Sequence, residues 1–122
     1  EPVIIGDWLE PGMHINAAGA NSLARRELDD AAVMRCSIIA ADAVDQAKIE
    51  CADLVMPIDS GILSWDAVLE LGQVVTGKAS GRASANDITL FESQGIALED
   101  VAVAAHIFER AKTEGVGEAL PF

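Results

Sequence analysis

One stretch, DITLFESQGIALEDVAVAAHIFERA from Asp87 to Ala111, constrains the fold more than any other. Ile88, Leu90 and Phe91 form a β-favouring run, and Gly95 breaks it where the chain must turn. A helix is predicted from Ala97 or Leu98. Leu98, Val101, Ala105 and Phe108 recur at three- or four-residue spacing as its inner face, with Glu99, His106, Arg110 and Thr113 opposite. Glu99 and Asp100 in the first turn and Arg110 and Lys112 in the last suit the helix dipole, and Gly115 stops the helix. Ala102, Ala104 and Ala105 leave so little bulk that a neighbour can approach closely. The expectation is a strand and helix around which the other elements pack.

The remaining segments alternate in a way that favours a parallel sheet covered by helices. A turn at Glu10-Pro11-Gly12 precedes HINAAG, a strand entering a glycine-containing loop. A short helix follows Asp29 and Asp30 and ends near Cys36. SIIAA, from Ser37 to Ala41, is a compact apolar run ending at Asp42, as a buried parallel strand reads. Val44 to Cys51 reads as helix, and Asp53 to Pro57 as a short strand or turn. Ser64 to Thr76 reads as a helix capped by Ser64, with Trp65, Val68, Leu69, Gly72 and Val75 on one side. Gly77 to Asp87 is a polar loop whose Lys78 and Arg82 stand out in an acidic chain.

Charge narrows the partners. Twenty acidic residues stand against eight basic ones, for a formal charge of −12, which repels nucleic acid and anionic membrane surfaces. No apolar run reaches membrane-spanning length. Cys36 and Cys51 have no Cys or His partner at metal-ligand spacing, and the carboxylates lack the order of a calcium loop, so no metal site is expected. Two buried, reduced thiols suit a cytoplasmic protein.

Three segments together resemble the ornithine cyclodeaminase and mu-crystallin family: PGMHINAAGANSLARREL from Pro11, ELGQVVTGKASGR from Glu70 and DITLFESQGIALEDVAVA from Asp87. The resemblance implies an NAD(P)-binding, Rossmann-like α/β protein acting on an amino or imino acid by hydride transfer. The chain lacks an initiating Met, carries apolar residues against its N-terminus and has no GxGxxG after a strand. The expectation drawn from this is a C-terminal part of such a protein. Residues 1–76 would be the second half of the Rossmann-like domain and 77–86 a connecting loop. Residues 87–122 would be a strand and helix crossing back toward a substrate and dimerisation domain. A fragment of that kind would bind no NAD or NADP by itself, would lack activity, and would pair its exposed edge in a homo-oligomer. The alternative is a non-enzymatic, mu-crystallin-like binding or assembly module.

Candidate site residues follow from the resemblance and from strand ends. Cyclodeaminase-like members carry an Asp where this chain has Asn21, which hydrogen-bonds but exchanges no proton near neutral pH. That difference counts against ornithine cyclodeamination and leaves imine reduction and amino-acid dehydrogenation open. Asp42 follows the SIIAA strand at its carboxyl end, where ligands approach an open α/β sheet, or else it caps the next helix. Ser93 and Gly95, with Gln94 between them, hold the same kind of position, and the resemblance puts their turn near the nicotinamide. Family members commonly have Lys where this chain has Glu92 and Val where it has Gln94. His106 reads as a surface residue, His14 as a structural hydrogen-bonding residue, and Arg25, Arg26 and Glu27 as an ordinary loop-to-helix charge set.

Overall fold

The computed structural model describes residues 1–121. Four strands form one parallel sheet: β1 (His14–Ala17), β2 (Ile38–Ala41), β3 (Val68–Glu70) and β4 (Thr89–Glu92), in the order β1-β4-β2-β3. The helices are α1 (Asp30–Arg35), α2 (Val44–Glu50), α3 (Ala52–Asp59), α4 (Leu71–Val75) and α5 (Ala97–Glu114).

Strand β4 lies between β1 and β2. Its Leu90 pairs with Ile15 on one side and Ile39 on the other, and its Glu92 with Ala17 and Ala41. A strand covered on both sides needs apolar or small residues almost throughout, and Ile88 to Leu90 are all buried. The register sets the two faces. Ile15, Leu90, Ile39 and Val68 share one row, and Ala17, Glu92 and Ala41 share the next row toward the carboxyl edge. These apolar residues form the core with Leu28, Ala32, Val33, Ala47, Cys51 and Leu54. On the opposite face His14 and Asn16 are exposed, while Ile38, Leu69 and Phe91 are half-buried.

The fold class expected from the sequence needs correction. Thr89–Glu92 does not cross away from half a Rossmann-like domain; it is an interior strand of a single Rossmann-like parallel sheet. That sheet draws on residues from His14 to Glu92 and, with its helices, accounts for nearly the whole chain. The expectation came from the resemblance and the missing GxGxxG, and neither carries information about which strands become neighbours.

Three local expectations also change. Ser64 does cap a turn, accepting from Asp66 N, but Trp65–Ala67 is a single 3-10 turn that leads into β3. Pairing of Val68 with Ile39 and Leu69 with Ala40 outweighs the helical spacing of Trp65, Val68 and Leu69. The segment expected as a strand from Asp53 is helix α3, with Pro57 inside it. Pro57 has no N–H to donate, but the carbonyl of Asp53, four residues earlier, is near enough to the helix start for one missing bond to be tolerated. Helix α5 begins and ends as expected, with Gly115 in the left-handed region at φ 67°, yet none of its 18 residues is buried. Leu98, Val101, Ile107 and Phe108 therefore stay largely exposed among the described residues.

Candidate functional site

The carboxyl ends of β1, β4 and β2 lie side by side, and the loops leaving them form the candidate site. The sheet ladder extends one step past each strand: Ser93 N donates to Ala17 O at 2.9 Å, and Asp42 N to Glu92 O at 3.1 Å. This brings Asp42 beside the turn that follows β4. Its Oδ2 accepts from Ser93 Oγ at 3.0 Å, Gln94 N at 2.9 Å and Gly95 N at 2.8 Å, and its Oδ1 accepts from Ala43 N at 2.8 Å. Gly95 has φ +79°, and a Cβ there would meet nothing within 4 Å, so glycine is needed for backbone conformation and not for space. The fold thus assembles Asp42, Ser93 and Gly95 into one unit. Asp42 is not the residue capping α2; Ala43 holds that position, and Val44 N donates to Glu70 Oε1 at 3.0 Å.

Asn21 lies elsewhere on the same edge, exposed in the loop after β1. No hydrogen bond joins it to Asp42, Ser93 or Gly95 among the described residues. The base of its loop is held by Glu27, whose Oε2 accepts from Gly19 N at 2.7 Å and Ala20 N at 3.1 Å. Glu27 N donates to Asp53 Oδ1 at 3.0 Å, and Leu28 N to the same oxygen at 3.0 Å. Asp53 is buried, and desolvation raises its pKa, against the lowering effect of these amides and of Arg26. Arg26 joins Asp30 at 2.6 Å and Asp53 at 3.5 Å, which supports its structural reading.

Sequence reasoning did not single out the most perturbed group. Glu92 is 1% exposed, and burial, reinforced by the charges of Asp53, Glu27 and Asp42, pushes its carboxyl up to about 8. Cys51 Sγ donates to Glu92 Oε2 at 3.4 Å, while Glu92 Oε1 has no partner. The Cys51 thiol is itself pushed far up by burial and the Glu92 charge, and Cys36 is raised to about 11 by the same two causes. Glu92 is therefore a neutral acid at pH 7. Strand alternation held the signal: two residues beyond buried Leu90, Glu92 must point into the same core. Gln94, also buried, leaves both amide atoms unpartnered.

The histidines lie outside this edge. His14 Nδ1 lies 2.7 Å from Thr89 Oγ1 and its Nε2 3.1 Å from Asn16 Oδ1, and His106 is exposed on α5. Arg82 is an anchor, donating to Gly12 O, Met13 O, Asp87 O and Thr89 Oγ1 at 2.7 to 3.1 Å. Among the described residues no cluster could hold a metal ion, and no helix is long and apolar enough to cross a membrane.

A crevice of about 420 Å³ opens beside the β4 turn, lined in part by Asp42, Glu70, Leu71, Ile96, Leu98 and Glu99. A dinucleotide, the cofactor implied by the resemblance, would meet two different surfaces here. Its nicotinamide end carries no phosphate and suits the open Gly95 turn. Its phosphates do not suit the nearby helix starts, where the Glu70 carboxylate already accepts from Val44 N of α2 and Glu99 and Asp100 occupy the first turn of α5. The arrangement can hold and orient a nicotinamide ring at the sheet edge, with exposed Asn21 available to hydrogen-bond a substrate.

Comparison with known proteins gives these residues a context. The model for the ornithine cyclodeaminase/mu-crystallin family matches residues 1–115. The Δ1-pyrroline-2-carboxylate reductase of Thermococcus litoralis, solved with NADH and L-proline, superposes with a TM-score of 0.87 at 33% identity over 98% of this chain. The iminosuccinate reductase of Paracoccus denitrificans, solved with NAD+, gives 0.85 at 34% identity over 100% of it. The chain spans 37% of each of those two. Mouse ketimine reductase mu-crystallin is 37% identical over 109 residues, which are 89% of this chain and 32% of that protein.

These matches overturn three expectations. The resemblance is carried by nearly the whole chain and not by a C-terminal stretch of it, because the family match runs through residues 1–115 of the 122. The inert fragment is withdrawn, since proteins named as reductases align with 98% and 100% of the chain. The non-enzymatic, mu-crystallin-like alternative loses its basis, because the mu-crystallin relative is itself named a ketimine reductase.

Proposed function

We propose, from the premise that this chain belongs to the ornithine cyclodeaminase/mu-crystallin family, that it serves an NAD(P)-dependent oxidoreductase interconverting an imino acid and the corresponding amino acid. The cofactor is NAD or NADP. The observation that carries the reading is the carboxyl edge of the sheet, where Asp42, Ser93 and Gly95 make one hydrogen-bonded turn beside an open crevice. Ligands of parallel α/β sheets bind at that edge.

When bound, a nicotinamide supplies the hydride donor or acceptor. The chain's own residues supply position. Gly95 gives the ring a surface without side-chain bulk, and Leu71, Ile96 and Leu98 line one side of the crevice with apolar surface. Asn21 orients the nitrogen-bearing carbon through its side-chain amide, which donates and accepts hydrogen bonds but does not ionise near pH 7. Imine reduction and amino-acid oxidation are therefore favoured over cyclodeamination. The unpaired outer edge of β1 and the uncovered apolar residues of α5 favour a homo-oligomer.

The test is consumption of NADH or NADPH by the purified protein with Δ1-pyrroline-2-carboxylate and with open-chain α-imino acids, and the reverse reaction with L-proline and L-alanine. Imine-dependent oxidation of one reduced dinucleotide is expected. Failure of every pair to react, with neither dinucleotide bound, refutes the reading.

A further inference from the structure

We propose that Asp42 is a positioning residue: its carboxylate builds the turn on which the reactive end of the dinucleotide rests and does not itself hold the cofactor. The inference rests on the reading above, that a dinucleotide binds at this edge.

Asp42 has little left to offer a ligand. It is 7% exposed, and its Oδ2 already accepts three hydrogen bonds, from Ser93 Oγ, Gln94 N and Gly95 N. Its Oδ1 accepts a fourth, from Ala43 N. A carboxylate has about two acceptor sites on each oxygen, so Oδ2 is filled and Oδ1 keeps only one. At Oδ2 a ribose hydroxyl would have to displace one of the protein's own donors.

The donors need Asp42 in return. Beyond Glu92 the strand has ended, and among the described residues no backbone carbonyl bonds Gln94 N or Gly95 N. Gly95 at φ +79° turns its N–H toward the same oxygen as its two predecessors. Converging backbone amides of this kind form an anion-binding nest. Here the nest is filled by a carboxylate from the neighbouring strand, 51 to 53 residues away in sequence. The turn is therefore shaped before any ligand arrives, and the ordering cost that would weaken cofactor binding has been met during folding.

The experiment uses the full chain and reads two quantities. One is amide hydrogen exchange at Gln94 and Gly95. The other is affinity for NADH and NADPH from the fluorescence of the reduced ring. Asp42→Ala is expected to speed exchange at both amides by about ten-fold or more while leaving Ile39 and Ala41 protected, and to weaken dinucleotide binding by about ten-fold. Asp42→Asn keeps one acceptor oxygen and should fall between. Gly95→Ala loosens the turn independently, so in that background Asp42→Ala should cost less than about two-fold in affinity. Should Asp42→Ala not unfold cooperatively, Asp42→Asn carries the same comparison.

An equal affinity loss in both backgrounds shows direct contact with the cofactor and overturns the proposal, as does unchanged exchange at Gln94 and Gly95. Faster exchange with unaltered affinity shows a purely structural clamp and overturns it too. If the wild-type chain binds neither dinucleotide, the functional reading fails and the cofactor half of the inference with it, whereas the exchange data still decide the clamp.

Discussion

Replacing Glu92 with Gln should make the protein's stability less dependent on pH, and the size of the change follows from the structure. The Glu92 carboxyl moves from 4.5 to about 8 because burial penalises its charged form and Asp53, Glu27 and Asp42 add like charge. Cys51 contributes only a weak S–H donor at 3.4 Å, and Glu92 Oε1 has no partner. In the unfolded chain the group ionises near its ordinary value, so between roughly pH 4.5 and 8 the folded state binds more protons. Stability from this group is then fully present below about pH 4.5 and is lost as pH rises through the folded value. The slope is about 1.4 kcal/mol per pH unit, about 2.7 kcal/mol between pH 5.5 and 7.5, and at most about 5 kcal/mol over the whole window. A small domain has only about 5–15 kcal/mol in total, so the effect is large.

Glu92→Gln keeps the shape and removes the titration. Urea unfolding followed by the fluorescence of Trp8 and Trp65, repeated across pH 5 to 8, gives both stability curves. Their difference should widen by about 3–4 kcal/mol in favour of the variant between pH 5 and 8, because the other titrations are common to both proteins. Parallel curves would refute the reasoning, since they would mean that Glu92 is ionised or solvated in the folded state.

Arg82→Ala should lower stability by about 1–2 kcal/mol and Arg82→Lys should recover little of it, since four acceptors on Gly12, Met13, Asp87 and Thr89 need the guanidinium fork; thermal unfolding checks this. Gly19→Ala puts a Cβ 2.7 Å from Glu27 Oε1, so the carboxylate must shift away from the Gly19 and Ala20 amides, at about 1–2 kcal/mol by urea unfolding; an unchanged midpoint means that the Glu27 clamp contributes nothing. Asn21→Ala should slow turnover about ten-fold while changing dinucleotide affinity by less than about two-fold, measured by steady-state rates and fluorescence titration; full turnover removes Asn21 from the site.

Parts of the fold were legible because they depend on nearest neighbours in the chain. Gly95 and Gly115 mark the turn after β4 and the end of α5, as glycines in left-handed backbone do. SIIAA reads as a buried strand because its residues must be apolar on both faces, and β2 occupies it. Asp42 and Ser93 attracted attention by standing just past strands. Asn21 was found only through a motif, and the structure gives it no bonded partner from which a role could have been read.

What local patterning could not supply was the choice of neighbours. Val68–Glu70 becomes a strand because Ile39 and Ala40 offer it a ladder, against its own helical spacing. Helix α5 has an apolar face that the sequence announces, but none of its residues is buried among the described residues. By itself, then, the sequence determined a parallel α/β chain, its turns and the family it belongs to, all carried by short-range spacing and side-chain type. The tertiary structure alone decided that β4 lies between β1 and β2, that Asp42 clamps a turn more than fifty residues away, and that Glu92 stays protonated. Each of these depends on which distant segments share a dry interior, where desolvation and hydrogen-bond geometry act across space and not along the chain.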